Sequence, residues 1–226
     1  MYNKLILAIP HATRTVLSTW DDNGILAKDA DRWTDWHTDT MFGIPFLSDR
    51  IPVVKGTISR FDCDLERLQN DPLELEGRGI IYRRSHSGAV RLSSDRPEEQ
   101  LIDAWHKYRS QIVGSLVDST LILDCHSFPS DISNVDICIG YNEDSSRPPH
   151  NIIELISKHF KDHGYSVGIN EPYSNAISPK TNKIYHSVMI ELNKRIYLDE
   201  TTFSLKVFAY KLHYCLLRLY TSLLLK

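Results

Sequence analysis

The feature that most constrains this chain is residues 120–124, Thr-Leu-Ile-Leu-Asp, a short run that is apolar without alternation. A strand with one wet face alternates apolar and polar residues. A strand covered on both faces does not, and that is the habit of a central parallel strand. Val135 to Ile139 has the same look, and Lys4 to Ile9 reads as a short buried strand stopped by Pro10. Ile51 to Ile58 is a further strand candidate, with Pro52 favouring an edge or a strand start. Ser166 to Ile169 and Ser187 to Leu192 complete the set.

Helical patterns fall between these strands. Pro97 suits a first helical turn, Glu98 and Glu99 suit its positive end, and Leu101, Trp105, Tyr108 and Ile112 recur at helical spacing, so Pro97 to Val117 is expected to be a helix. Asn151 to His163 reads as a second amphipathic helix, closed by Gly164, and Phe203 to Leu224 as the last. Asp71 to Gly88 reads as a long irregular loop, of a kind that is often functional. Strands alternating with helices imply an α/β fold: a three-layer sandwich with a mainly parallel mixed sheet and helices on both faces. No repeat, low-complexity tract or linker divides the sequence, so one domain over residues 1–226 is expected.

Composition narrows the function classes. The net charge is −3, which does not suggest a nucleic-acid or acidic-membrane partner, although a local basic pocket stays open. The apolar run near the N-terminus is too short for a leader or a membrane span, so a cytoplasmic protein is expected. Cys63, Cys125, Cys138 and Cys215 are scattered without a CxxC pair, which argues against a disulfide framework or a Cys-rich zinc site.

In sheets of this kind, ligands gather beyond the carboxyl ends of the strands. The residues there are unusual. His11 follows the first strand and His126 follows Thr120 to Cys125. Glu191 lies in or at the end of an otherwise apolar strand. Asp35 and His37 sit in an aromatic segment, and Arg60 and Arg67 follow the second strand. Two histidines and a carboxylate are a usual protein ligand set for catalytic zinc, and a further carboxylate can act as general base. Blander roles compete. A lone histidine after a strand is more often a loop hydrogen-bonder than a ligand. Asp35 and Asp39 can cap a short helix while Trp33 and Trp36 anchor a core. Glu191, flanked by Met189, Ile190 and Leu192, needs a partner or a function. Neither HExxH nor GxSxG is present.

Taken in order, these motifs resemble the N-formylglutamate amidohydrolase family, related in fold to the zinc carboxypeptidases and to the aspartoacylase and succinylglutamate desuccinylase enzymes. The resemblance runs through Ile9-Pro10-His11-Ala12, Thr34-Asp35-Trp36-His37, the stretch from Ser59 to Arg67, Asp124-Cys125-His126-Ser127-Phe128, Asn170-Glu171-Pro172-Tyr173, and the stretch from His186 to Asn193. It implies a zinc ion held by His11, Asp35 and His126, with His37 the fallback for Asp35. It implies Glu191 as the catalytic glutamate and Arg67 as the grip on a substrate carboxylate. Arg60 is the candidate for oxyanion stabilisation. Asp124 or His186 is placed to orient a ligand, and Tyr173 and His186 to contact substrate. The expected substrate is a small N-acyl amino acid such as N-formyl-L-glutamate, cleaved to formate and glutamate in histidine degradation. A carboxypeptidase or amidase acting on a peptide or another N-acyl amino acid is the alternative, and a non-catalytic binding module on the same fold is a third reading. The sequence leaves the oligomeric state open.

The chain departs from the family pattern at Glu66, where the relatives carry Asn before the arginine. Asn can donate to a carboxylate, whereas an ionised Glu only accepts. A Glu66 facing the site would repel an acidic substrate. The first motif also reads Pro-His-Ala-Thr where many members have Gly after the Ala.

Overall fold

The structure is a computed structural model that describes residues 1–43, 50–94 and 96–224. In chain order the elements are β1 (Lys4–Ile9), β2 (Ser18–Asp21), α1 (Ile25–Trp33), α2 (Thr38–Phe42), β3 (Val53–Lys55), β4 (Val90–Ser94), α3 (Glu98–Ser115) and β5 (Thr120–Phe128). There follow β6 (Ile137–Gly140), α4 (His150–Asp162), β7 (Val167–Ile169), β8 (Tyr185–Asn193), β9 (Leu198–Asp199), β10 (Ser204–Leu205) and α5 (Ala209–Leu223).

The chain forms two compact units. One comprises Met1–Ile9, Trp36–Val54 and Ile112–Lys226; the other comprises Pro10–Asp35 and Lys55–Gln111. The first holds a six-stranded sheet in the order β3-β1-β5-β8-β6-β7. β1 pairs with β5, β5 with β8 and β6 with β7 in parallel, and β6 pairs with β8 antiparallel. The α/β class and the mainly parallel sheet expected from the sequence are therefore present. β5 is buried at every position, as its lack of alternation requires. Helices α2 and α4 pack against the strands, α2 on β1 and β5 and α4 on β6 and β7, and α5 packs against α2 and α4.

Several bounds differ from expectation for identifiable reasons. β5 runs on to Phe128 because β8 pairs with it residue for residue as far as Asn193. His126 therefore lies inside the strand and does not follow it. The last helix begins at Ala209, since Ser204 and Leu205 turn back to pair with Asp199 and Leu198. Of Ile51 to Ile58, only Val53–Lys55 is strand.

The second unit holds the antiparallel pair β2–β4. Its core gathers Trp20, Ala30, Phe61, Tyr82 and Ala89, with Trp33 packed against them. The expected loop Asp71 to Gly88 is largely irregular apart from a 3-10 turn over Pro72–Glu76.

Candidate active site

In the second unit, His11 is almost wholly buried, at 1% exposure. Its Nε2–H donates to Asp64 Oδ1 at 2.9 Å, and its Nδ1 lies 3.8 Å from Asp35 Oδ2. A backbone bond from Asp35 N to His11 O, 3.0 Å, holds the two segments side by side. Asp64 is the hub. Its Oδ2 accepts from Arg67 Nη2 at 2.9 Å and from the Tyr82 hydroxyl at 3.3 Å, and lies 3.6 Å from Arg60 Nη2. Its Oδ1 also caps the backbone N–H groups of Glu66 and Arg67. Burial pushes the Asp64 carboxyl up, but His11, Arg60 and Arg67 pull harder and hold it well below the usual carboxylate range. The sequence reading used Asp64 only as a motif letter. The available signal was its place between Arg60 and Arg67, four residues after one and three before the other.

Arg60 donates to Trp33 O and Arg67 also faces Asp71, yet the Nε of each guanidinium is buried with no hydrogen-bond partner among the described residues. Each therefore has a donor to give an anionic group. Glu66, the departure from the family pattern, faces this cluster: one of its carboxylate oxygens lies within 4.8 Å of a His11 ring nitrogen.

In the first unit, β5 and β8 set His126 and Glu191 opposite each other in register, at 3% and 8% exposure. Register partners on neighbouring parallel strands point to one face, so imidazole and carboxyl lie side by side. Asp124, two residues back on that face, takes the His126 Nε2–H at 3.1 Å through Oδ1 and the Ile177 N–H at 2.7 Å through Oδ2. Phe128, two residues on, meets the Tyr173 ring edge to face at 6.0 Å, which places Tyr173 on this face.

Two predicted residues go elsewhere. His186 lies five positions before Glu191 on β8, roughly 16 Å along the strand and on the opposite face. There it meets the Tyr2 hydroxyl at 3.0 Å, and burial lowers its pKa. His37 Nε2 donates to Phe203 O at 2.9 Å.

The two buried histidines thus share one chemistry. Each gives a ring N–H to an aspartate, which leaves the lone pair on Nδ1. This is the tautomer and the outer partner that metal-binding imidazoles use, so both fit a metal ion. No helix among the described residues is long and apolar enough to cross a membrane.

The model of the N-formylglutamate amidohydrolase family matches residues 3–198. The fold is similar to a solved N-formylglutamate amidohydrolase from Ralstonia eutropha, 18% identical, with a TM-score of 0.75 over 96% of this chain and 91% of that one. It is also similar to a gene product of Agrobacterium tumefaciens, 16% identical, with a TM-score of 0.63 over 97% and 91% of the two chains. No curated protein matches the sequence. With the family model spanning most of its length, the chain belongs to the N-formylglutamate amidohydrolase family and is a hydrolase of amide bonds.

Proposed function

We propose that the whole chain, residues 1–226, is one functional domain and a zinc-dependent amidohydrolase of a small N-acyl amino acid, with N-formyl-L-glutamate the leading substrate. His11, Asp35 and His126 would hold the metal. A zinc ion there supplies an acidified water and a polarised amide carbonyl. The observation that carries the reading is Glu191, a buried carboxyl set in register beside a buried imidazole that aspartate has already oriented.

Glu191 takes the proton of the attacking water and returns it to the leaving amine, and its apolar strand keeps bulk water from competing. Arg67 offers a planar fork to the substrate carboxylate, which a lysine cannot reproduce. Arg60 offers its Nε to the oxyanion that develops on the acyl carbon. Tyr173 lines the same face as Glu191 and supplies an apolar wall with a polar tip. A cytoplasmic protein fits this chemistry.

Metal analysis tests the ligand set. His11→Ala and His126→Ala are each expected to hold one equivalent of zinc less than the wild type, and a zinc content equal to the wild type's in either protein would overturn the assignment. A hydrolysis screen of formyl, acetyl and succinyl derivatives of glutamate and of neutral amino acids tests the substrate. Glu66 beside His11 favours a second reading, in which an N-acyl amino acid with a neutral side chain is preferred, because an ionised Glu66 repels a side-chain carboxylate. Faster cleavage of formyl-glutamate than of every neutral analogue would reject that second reading.

A further inference from the structure

A second cluster of donor atoms lies where α4 meets α5, remote in kind from the amide-cleaving residues. His159 stands in the last turn of α4 and His163 caps that helix, four residues on. Histidines at this spacing project from one helix face, as in helix-borne metal pairs. Their rings lie 4.5 Å apart between centroids. Cys215 of α5 completes the group, fully buried and unoxidised. One donor atom from each of the three side chains lies within 4.8 Å of the other two.

The hydrogen bonds settle which nitrogens are basic. His159 Nε2 faces the Cys215 carbonyl at 2.9 Å, and His163 Nδ1 faces the His159 carbonyl at 2.7 Å. A carbonyl only accepts, so each ring nitrogen there is the donor and the other nitrogen holds the lone pair. Both rings are thus locked by one bond and carry a basic nitrogen, the arrangement that outer partners impose on metal-binding imidazoles. Burial keeps His159 neutral by lowering its pKa, so no proton competes for it near neutrality.

We propose that His159, His163 and Cys215 form a binding site for one zinc-like divalent cation, joining the end of α4 to α5. Two imidazoles and a sulfur select a borderline metal over Mg²⁺ or Ca²⁺, which take oxygen ligands. Zinc bonds of about 2.0–2.1 Å to nitrogen and about 2.3 Å to sulfur put tetrahedral ligands roughly 3.3–3.7 Å apart. The donors, each within 4.8 Å of the other two, need to close by up to about 1.5 Å, which takes small shifts of the His163 ring and of the Cys215 side chain. Water takes the fourth position. Burial pushes the Cys215 thiol up to about 12, so the cation takes the place of a bound proton, and one proton passes to solvent for each ion held.

This site does not rest on the proposed amidohydrolase mechanism, and its test is spectroscopic. The chelator-treated full-length protein is titrated with Co²⁺. The expected result is a near-ultraviolet thiolate-to-cobalt band, a signal the His11, Asp35 and His126 set cannot give, since it holds no sulfur. His163→Ala, an exposed change, is expected to weaken Co²⁺ binding read through that band by at least about 10–100-fold, the loss seen when only an outer partner is removed. Cys215→Ala is expected to abolish the band. Amide hydrolysis by the zinc-loaded His163→Ala protein should stay at the wild-type level. A titration without the band, or an equal band in His163→Ala, would show two helix-capping imidazoles and a core thiol only, and would overturn the proposal.

Discussion

The two units solve one problem by different means. Each buries a histidine and fixes it by handing a ring N–H to an aspartate. In the first unit the fixing is done by the sheet. Asp124, His126 and Glu191 stand on strands whose register is set by nine paired residues. In the second unit His11 lies beyond any strand, and a charge network fixes it: Asp64 gathers His11, Arg60, Arg67 and Tyr82. Backbone pairing fixes where a side chain stands without itself needing a charged partner. A loop that must do the same work buries charges, and each one then depends on its partner. The strand-built half should therefore tolerate loss of its aspartate, while the loop-built half should not.

The sharpest way to separate positioning from chemistry is Glu191→Gln. The amide keeps the shape and the strand pairing but cannot take a proton. We expect turnover to fall by about 10²–10⁴-fold with folding and metal content unchanged. Turnover at the wild-type level would remove Glu191 as the base.

The comparison itself is tested by two parallel changes. Asp64→Ala strands the buried His11 and two half-buried arginines, and the loss of one partner from such a group costs about 3–5 kcal/mol. At about 2–4 °C per kcal/mol for a protein of this size, the melting midpoint should fall by roughly 6–20 °C. Asp124→Ala leaves His126 and the Ile177 N–H each short of one acceptor, a cost of about 1–3 kcal/mol for each neutral group, whereas Asp64→Ala strands the Glu66 and Arg67 N–H groups as well as its charges. Equal losses in the two proteins would mean that the charge network is not what holds His11. A smaller effect is expected from Arg67→Lys, which keeps the charge on Asp64 but loses the fork. We expect KM for an acidic substrate to rise about tenfold, some 1.4 kcal/mol, with kcat changed little. A larger effect on kcat than on KM would reassign Arg67 from binding to the chemical step.

The same contrast explains how much the sequence revealed. Uniform burial of Leu5 to Ile9 and of Leu121 to Cys125 shows directly as apolar runs, because a doubly covered strand has no other composition available. His126 and Glu191 were legible as polar residues in apolar strands, although polar letters made β5 look shorter than it is. The charge hub was not legible. Asp64 meets His11 across 53 residues, and no local pattern encodes that pairing. Helix α1 is missed because Asp-Asp-Asn-Gly before it reads as a turn, although Leu26, Ala30 and Trp33 recur at helical spacing and pack into the core of this unit. Expecting His186 beside Glu191 ignored the strand period, which sends residues five apart to opposite faces.

The least of the expected effects concerns acid. His86 belongs to the charged unit. It stacks on Trp33 at 4.4 Å, and its Nδ1 is buried with no hydrogen-bond partner among the described residues. Burial lowers its pKa first, Arg60 and Arg78 lower it further, and it settles at about 3. In the unfolded chain a histidine takes its proton near about 6.5. Between those values the unfolded state binds a proton that the folded state refuses, so folding is favoured above about 6.5 and weakens as pH falls toward about 3. His86→Phe keeps a flat ring against Trp33 and removes the titration. Urea midpoints measured at several pH values should show the variant gaining on the wild type as the solution is acidified through that window. His186 is held neutral by burial alone, without a cation beside it, so His186→Phe should show a smaller gain over the same range. If the two variants gain equally, the arginines contribute nothing to the acid response. The contrast between a charge-built and a strand-built half would then hold for mechanical stability but not for pH.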